Sequence, residues 1–201
     1  MIIGKDFYRR SDVVKVARDL VGKVIVANID GILTSGIITE TEAYAGITDK
    51  ASHAYNNRRT SRTQVMYKEG GIAYIYLCYG IHHLFNFVTD VRDVPHAVLL
   101  RGIIPLNGKE LMMDRCGKSS SLKPYTDGPG KLTRALGINT SLNGENLVTG
   151  RIWVEDIGLK IPDNLIYCGP RVGVDYAEED ACLPYRFLIK DNDLIQKSLP
   201  F

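Results

Sequence analysis

The pair Asp30-Gly31 lies between two apolar runs, residues 23–29 and 32–43, and constrains the fold more than any other feature of the chain. Asp-Gly accepts the positive φ angles of a two-residue hairpin turn, so the runs are expected to pair as antiparallel strands, the second carrying Glu42 at its far end. A second hairpin is expected where Gly70-Gly71 opens a strand over 72–78, Tyr79-Gly80 turns and 81–89 returns, with Tyr79 at the tip. After a turn through Asp90, Asp93 and Pro95, residues 97–104 are nearly all apolar apart from Arg101, the pattern of a buried central strand. Shorter strands are expected at 151–155, 171–174 and 185–189. Ser11 is placed to cap a short helix whose Val14, Ala17, Leu20 and Val21 share a face, with Gly22 to end it. Further helical patterns cover 109–115 and 131–136. Hairpins dominate, and 201 residues with 45% hydrophobic content can bury one core. The expected fold is α+β: a single compact domain over 1–201 with a largely antiparallel, curved sheet, flanking helices and a protruding β-hairpin.

No apolar run reaches the roughly 18 residues of a membrane span, and residues 1–10 mix both charges, so a cytoplasmic protein is expected. The four cysteines, Cys78, Cys116, Cys168 and Cys182, stand far apart without a Cys/His cluster. Reduced thiols follow, with no metal and no cofactor. A net charge of +2 is too small to announce a nucleic-acid partner through the field of the whole molecule, so any such signal must be local.

Three local constellations stand out. In Glu40-Thr41-Glu42-Ala43-Tyr44 the strand period of two puts Glu40, Glu42 and Tyr44 on one face. The pentapeptide by itself also reads as a charged strand end; a general base would need a cationic partner and a pocket. Arg101 is a candidate partner, because a guanidinium within an apolar strand is costly to bury unpaired, although a purely structural ion pair satisfies it equally. The second constellation is aromatic. Six of the 11 tyrosines, Tyr44, Tyr55, Tyr67, Tyr74, Tyr76 and Tyr79, fall between positions 44 and 79 together with His53, offering flat faces suited to a nucleobase. The third is basic: residues 51–68 hold Arg58, Arg59, Arg62 and Lys68 with no acidic residue, interleaved with Asn, Thr, Ser and Gln that grip phosphate oxygens. Further on, Gly128-Pro129-Gly130 leads into a helix where backbone N–H groups and Lys131 form a candidate anion site. His82 and His83 alternate across their strand and therefore face different surroundings, one surface and one core.

With these residues in view, the chain resembles the alkyladenine (3-methyladenine) DNA glycosylase family of purine excision enzymes. The resemblance rests on Glu-Thr-Glu-Ala-Tyr at 40–44 followed by His53, Tyr74-x-Tyr76-x-x-Tyr79-Gly80, Asn86, Leu99-Leu-Arg101, Gly128-Pro-Gly-Lys-Leu132 and Arg171-Val-Gly-Val174, in order along nearly the whole chain. It implies a monofunctional enzyme that flips an alkylated or deaminated purine (3-methyladenine, 7-methylguanine, hypoxanthine or ethenoadenine) out of double-stranded DNA and hydrolyses its N-glycosidic bond. Glu42 would deprotonate the attacking water with Arg101 holding both. Tyr44, His53 and Tyr76 would sandwich the base, and Asn86 would clash with the exocyclic amine of guanine. Tyr79 would fill the gap left in the duplex, flanked by Ile81 and His82. No lysine stands in the motif positions to form a Schiff base, so lyase activity is not expected. A monomer is expected, with damaged duplex DNA as its partner. The competing readings are a non-catalytic nucleic-acid-binding module and a hydrolase of free nucleosides, and neither gives both Glu42 and the Tyr79 hairpin a purpose.

Overall fold

The computed structural model describes residues 1–117 and 126–197. Its first hairpin forms as the turn demands. Strands β1 (Val24–Ile29) and β2 (Ile32–Tyr44) pair antiparallel with Ile29 opposite Ile32, and the turn residues Asp30 and Gly31 have φ angles of 55° and 79°. Two positive φ angles match the right-handed twist of the flanking strands. The second hairpin consists of β3 (Ala73–Cys78) and β4 (His82–Thr89), and β5 (His96–Pro105) lies between β4 and β2. With β6 (Ile152–Glu155) the order is β3-β4-β5-β2-β1-β6. Strand β7 (Ile166–Gly169) joins through β8 (Arg186–Ile189), which pairs with β2 across Glu40 to Glu42. Every strand pair among the described residues is antiparallel. One edge of β2 thus changes partner from β1 to β8 while β5 runs along the other, and the sheet curves at the change.

Helices α1 (Lys5–Tyr8), α2 (Val13–Leu20), α3 (Lys109–Cys116), α4 (Pro129–Leu136) and α5 (Asn192–Lys197) complete the α+β architecture. Val16, Ala17 and Leu20 of α2 and Leu132 and Leu136 of α4 are buried in one core with Phe85, Phe87, Val98 and Leu100 of the sheet. Each of the valine, leucine and phenylalanine side chains contributes about 1.5–3 kcal/mol when fully buried, so this face supplies the stability that lets the opposite face carry buried charge. Two details depart from the sequence expectation. The cap of α2 is Asp12, whose side chain accepts from the Lys15 N–H, one residue beyond Ser11. Residues 171–174 are not a strand: Gly173 has a φ of 74° and the Val172 N–H is spent on a side chain, so the apolar alternation there reports packing, and the strand lies earlier, at β7.

Candidate active site

The far half of β2 alternates between the two faces. Thr41 and Ala43 point into the core, where the Thr41 hydroxyl donates to the Ala17 carbonyl at 2.8 Å and ties the strand to α2. Glu40, Glu42 and Tyr44 point the other way. The register between β2 and β5 steps twice here, leaving Thr39 and Arg101 as the extra residues of two bulges. A bulge re-aims the side chain it carries. Arg101 reaches both carboxylates: its Nε is 3.1 Å from Glu40 Oε1 and 3.3 Å from Glu42 Oε1, and its Nη1 is 3.4 Å from Glu42 Oε2. Arg186 adds a bond from its Nε to Glu40 Oε1 at 2.6 Å. Two acids and two guanidiniums therefore balance in charge.

The two glutamates are nevertheless unlike. Glu40 is held by two arginines. Glu42, with 0% of its surface exposed, takes the backbone N–H of Val172 on Oε1 and the Tyr44 hydroxyl on Oε2, each at 2.8 Å, besides the longer contacts from Arg101. Burial pushes its pKa above the usual 4.5 and outweighs the opposing pull of Arg101, the Val172 N–H and the Tyr44 hydroxyl, while the neighbouring Glu40 charge acts in the same direction as burial. Such a carboxylate is a stronger base than an exposed one once ionised.

The Tyr44 ring leads from Glu42 into a pocket. Tyr44, Ala51, His53, Met66, Tyr74, Tyr76, Asn86, Ala97 and Tyr176 line it, around a narrow cavity of about 40 Å³. His53 and Tyr76 touch edge to face with centroids 4.7 Å apart, so nothing planar fits between them and they form one wall. His53 is steadied by a 3.0 Å hydrogen bond between its Nδ1 and the Tyr74 hydroxyl. Burial, with the nearby charges of Arg62 and Arg58, lowers its pKa from 6.5 to about 4, so the ring is neutral at neutral pH. Asn86 donates from Nδ2 to the Tyr74 carbonyl at 3.1 Å, which fixes its amide in the pocket floor.

Residues 44–68 carry no apolar periodicity in the sequence, yet they fold back as part of this wall through short 3-10 turns, with Ala51, Ala54, Val65 and Met66 buried. A buried ion pair holds the wall to the 171–182 segment. Arg171 donates to both carboxylate oxygens of Asp49 and to the carbonyls of Ala43 and Asp180, and its guanidinium lies 4.8 Å from the Tyr44 ring centre. The Tyr176 hydroxyl donates to the Ala51 carbonyl at 3.2 Å across the same seam.

At the hairpin tip Tyr79 has a φ of 50°, Gly80 a φ of 72°, and Tyr79 is 92% exposed. A bulky residue in the left-handed region costs about 1 kcal/mol or more relative to the Asn or Asp such turns favour, and this one recovers none of it by packing. Ile81 and His82 beside it are exposed too. The arginines of the basic stretch separate in space. Arg62 lies over the Tyr76 ring at 4.7 Å, Arg59 pairs with Asp93 at 3.0 Å and stacks on Tyr67, and Arg58 is exposed. Lys131 is exposed on α4, away from the pocket lining.

The structure therefore brings together Glu42, Arg101, Tyr44, His53, Tyr76 and Asn86, and sets Tyr79, Ile81 and His82 at the neighbouring tip. Sequence reasoning singled out Tyr74 without giving it a role of its own, quoted Arg171 and Val172 only as part of a motif, and missed Asp49, Arg186 and Tyr176. Val172 acts through its backbone, which no residue type announces. For Arg171 the available signal was its setting between apolar residues, the same cost of unpaired burial that singled out Arg101.

Comparison with known proteins converges on one family. The family model of methylpurine-DNA glycosylase matches residues 6–193. A protein of Clostridium perfringens is 45% identical over 205 residues, covering 98% of this chain and 100% of its own length. One of Chlamydia pneumoniae is 44% identical over 195 residues, covering 96% of this chain and 97% of its own. Both carry the provisional name 3-methyladenine DNA glycosylase.

Proposed function

This chain belongs to the methylpurine-DNA glycosylase family, DNA-repair hydrolases of N-glycosidic bonds, and from that premise we propose that Glu42 activates water against a purine flipped from duplex DNA into the tyrosine-lined pocket. The observation that carries this reading is the Tyr44 side chain, which touches both parts: its ring lines the pocket and its hydroxyl binds the buried Glu42 carboxylate. A base between Tyr44 on one side and His53 with Tyr76 on the other leaves its sugar toward Glu42. As the base departs, positive charge builds on the deoxyribose; anionic Glu42 stabilises it and takes a proton from the attacking water. The two Arg101 contacts to Glu42 are its longest, and that is where a water joins the set with least disturbance.

The walls favour the cationic bases that alkylation produces, because electron-rich rings attract a positive charge and the neutral His53 adds none of its own. Methylated adenine is the best substrate on this reading, methylated guanine is poorer because it keeps the exocyclic amine that Asn86 opposes, and hypoxanthine and ethenoadenine, which lack that amine, fit the same walls. Normal guanine is rejected by Asn86, whose amide is fixed and cannot withdraw from an exocyclic amine. Tyr79 occupies the space the nucleotide leaves, and its strained φ fits a residue kept for contact with DNA rather than for the turn.

The test is release of free base, measured on a methylated duplex and on the corresponding nucleoside. Excision from the duplex with none from the nucleoside is expected; equal rates would move the chain to a nucleoside hydrolase, and no release from either would leave only a binding module. In the same assay Tyr79→Asn, which suits the turn, is expected to weaken the fluorescence signal of an extrahelical base while leaving the melting temperature equal or higher. An unchanged flipping signal would remove Tyr79 from this role.

A further inference from the structure

Lys131 does not reach the base pocket, yet it is not on featureless surface. It lines a groove of about 790 Å³ between the β4 end of the hairpin and the α3–α4 pair, with Ile81, His82, His83, Arg115 and Arg134 among the other walls. No residue lines both this groove and the pocket. The pocket takes Tyr74 and Tyr76 of β3 and Asn86 of β4, whereas the groove takes residues 81–83 of β4 where α4 packs on the hairpin, the Thr133 hydroxyl donating to the His83 carbonyl, so the groove lies on the α4 flank of the hairpin and the pocket on the other.

The groove is cationic. Among the described residues its lining holds Arg115, Lys131 and Arg134 and no carboxylate. Arg115 donates to the Ala135 carbonyl at 3.1 Å and Arg134 to the Arg115 carbonyl at 2.8 Å, bonds that orient both guanidiniums without neutralising them. Lys131 is exposed and has no partner among the described residues. His83 Nδ1, buried on the hairpin wall, also lacks a hydrogen-bond partner. Such a groove, positive and free of carboxylates among the described residues, suits a phosphodiester backbone.

Geometry selects which backbone. A wedge in the minor groove, about 6 Å wide, has one strand on each flank. The damaged strand must lie on the pocket flank, because its nucleotide enters the pocket. We infer that the groove beside β4 grips the phosphates of the strand opposite the flipped nucleotide, through Lys131 and Arg134. This rests on the reading that the Tyr79 hairpin enters the minor groove. Held on both flanks, the duplex cannot close by sliding the unpaired base away from the wedge, so the enzyme gains affinity for paired DNA specifically.

The experiment measures equilibrium binding of wild type, Lys131→Ala and Lys131→Glu/Arg134→Glu to a duplex with a stable abasic analogue, and to the same damaged strand alone, across a salt series. For the double variant a fall of at least about tenfold in duplex affinity is expected, with the slope of log K against log salt reduced by about 2, and for Lys131→Ala by about 1. Affinity for the single strand is expected to stay within about twofold, because the contacted strand is absent. Equal losses on duplex and single strand would overturn the inference by placing the cations on the damaged strand, and an unchanged duplex affinity in the folded variants would overturn it outright. Binding is read without base release, so failure of the catalytic reading shows separately, as a wild type that binds and releases nothing. Lys131→Ala removes an exposed side chain with no partner and keeps the test independent of folding.

Discussion

Glu42→Gln is expected to lower single-turnover base release by about 10²–10⁴-fold, the usual contribution of a positioned general base, and at the same time to stabilise the protein. The second half follows from the pKa. Burial raises the folded-state pKa of Glu42 above its unfolded value, so the folded protein binds the proton more tightly than the unfolded one, and stability falls as pH rises through that window. At neutral pH the ionised group is a cost that glutamine removes. Arg101 is not orphaned by the change, because Glu40 still accepts from it at 3.1 Å. A rise in Tm is expected in a thermal melt, each ~1 kcal/mol relieved being worth about 2–4 °C in a chain of this size. Glu40→Gln is expected to keep excision, since Glu40 is occupied by two arginines and has no bond to Tyr44 or Val172. A Glu42→Gln protein that is both inactive and much less stable would instead mark Glu42 as scaffold.

The second large effect concerns stability. Arg171 and Asp49 have side-chain exposures of 0% and 1%, so Arg171→Met leaves a buried carboxylate without a cation. Breaking such a pair costs about 3–5 kcal/mol, a drop of roughly 10 °C or more in Tm. Two backbone carbonyls lose a donor as well, and Tyr44 loses the guanidinium against its ring. Arg171→Met/Asp49→Leu is expected to recover a good part of the loss, because no unpaired charge remains. Melting curves of the two single variants and the double variant decide the matter. Strictly additive losses would show that the pair does not act as a unit.

These two residues also mark where the sequence stopped being legible. The hairpins were readable because Asp30-Gly31 and Tyr79-Gly80 carry their geometry locally, and Arg101 because a guanidinium in an apolar strand demands a partner. Asp49 and Arg171 stand 122 residues apart, a separation that no periodicity encodes. Residues 171–174 read as a strand because Val172 and Val174 alternate, whereas Arg171 and Val174 are buried in the loop and the Val172 N–H turns to Glu42. Residues 44–68 show no apolar periodicity because their burial rests on scattered residues, Ala51, Ala54, Val65 and Met66, and on one ion pair, signals that hydrophobic patterning does not register. Tyr44, His53 and Tyr76 were expected as the walls around a flipped base; all three line one pocket, and the edge-to-face contact between His53 and Tyr76 is a detail that their spacing in sequence does not encode.

The central claim, that a buried Glu42 must be ionised for base release, is tested most directly by the pH dependence of single-turnover excision from a methylated duplex, with the uncatalysed loss of base subtracted at each pH. His53 contributes no break near neutrality, since its pKa lies at about 4. The expected profile falls on the acid side with a midpoint above 4.5, the ordinary value for a glutamate, because burial holds the proton on Glu42. A rate that stays level as pH falls through 4.5 would contradict the assignment of Glu42 as the base.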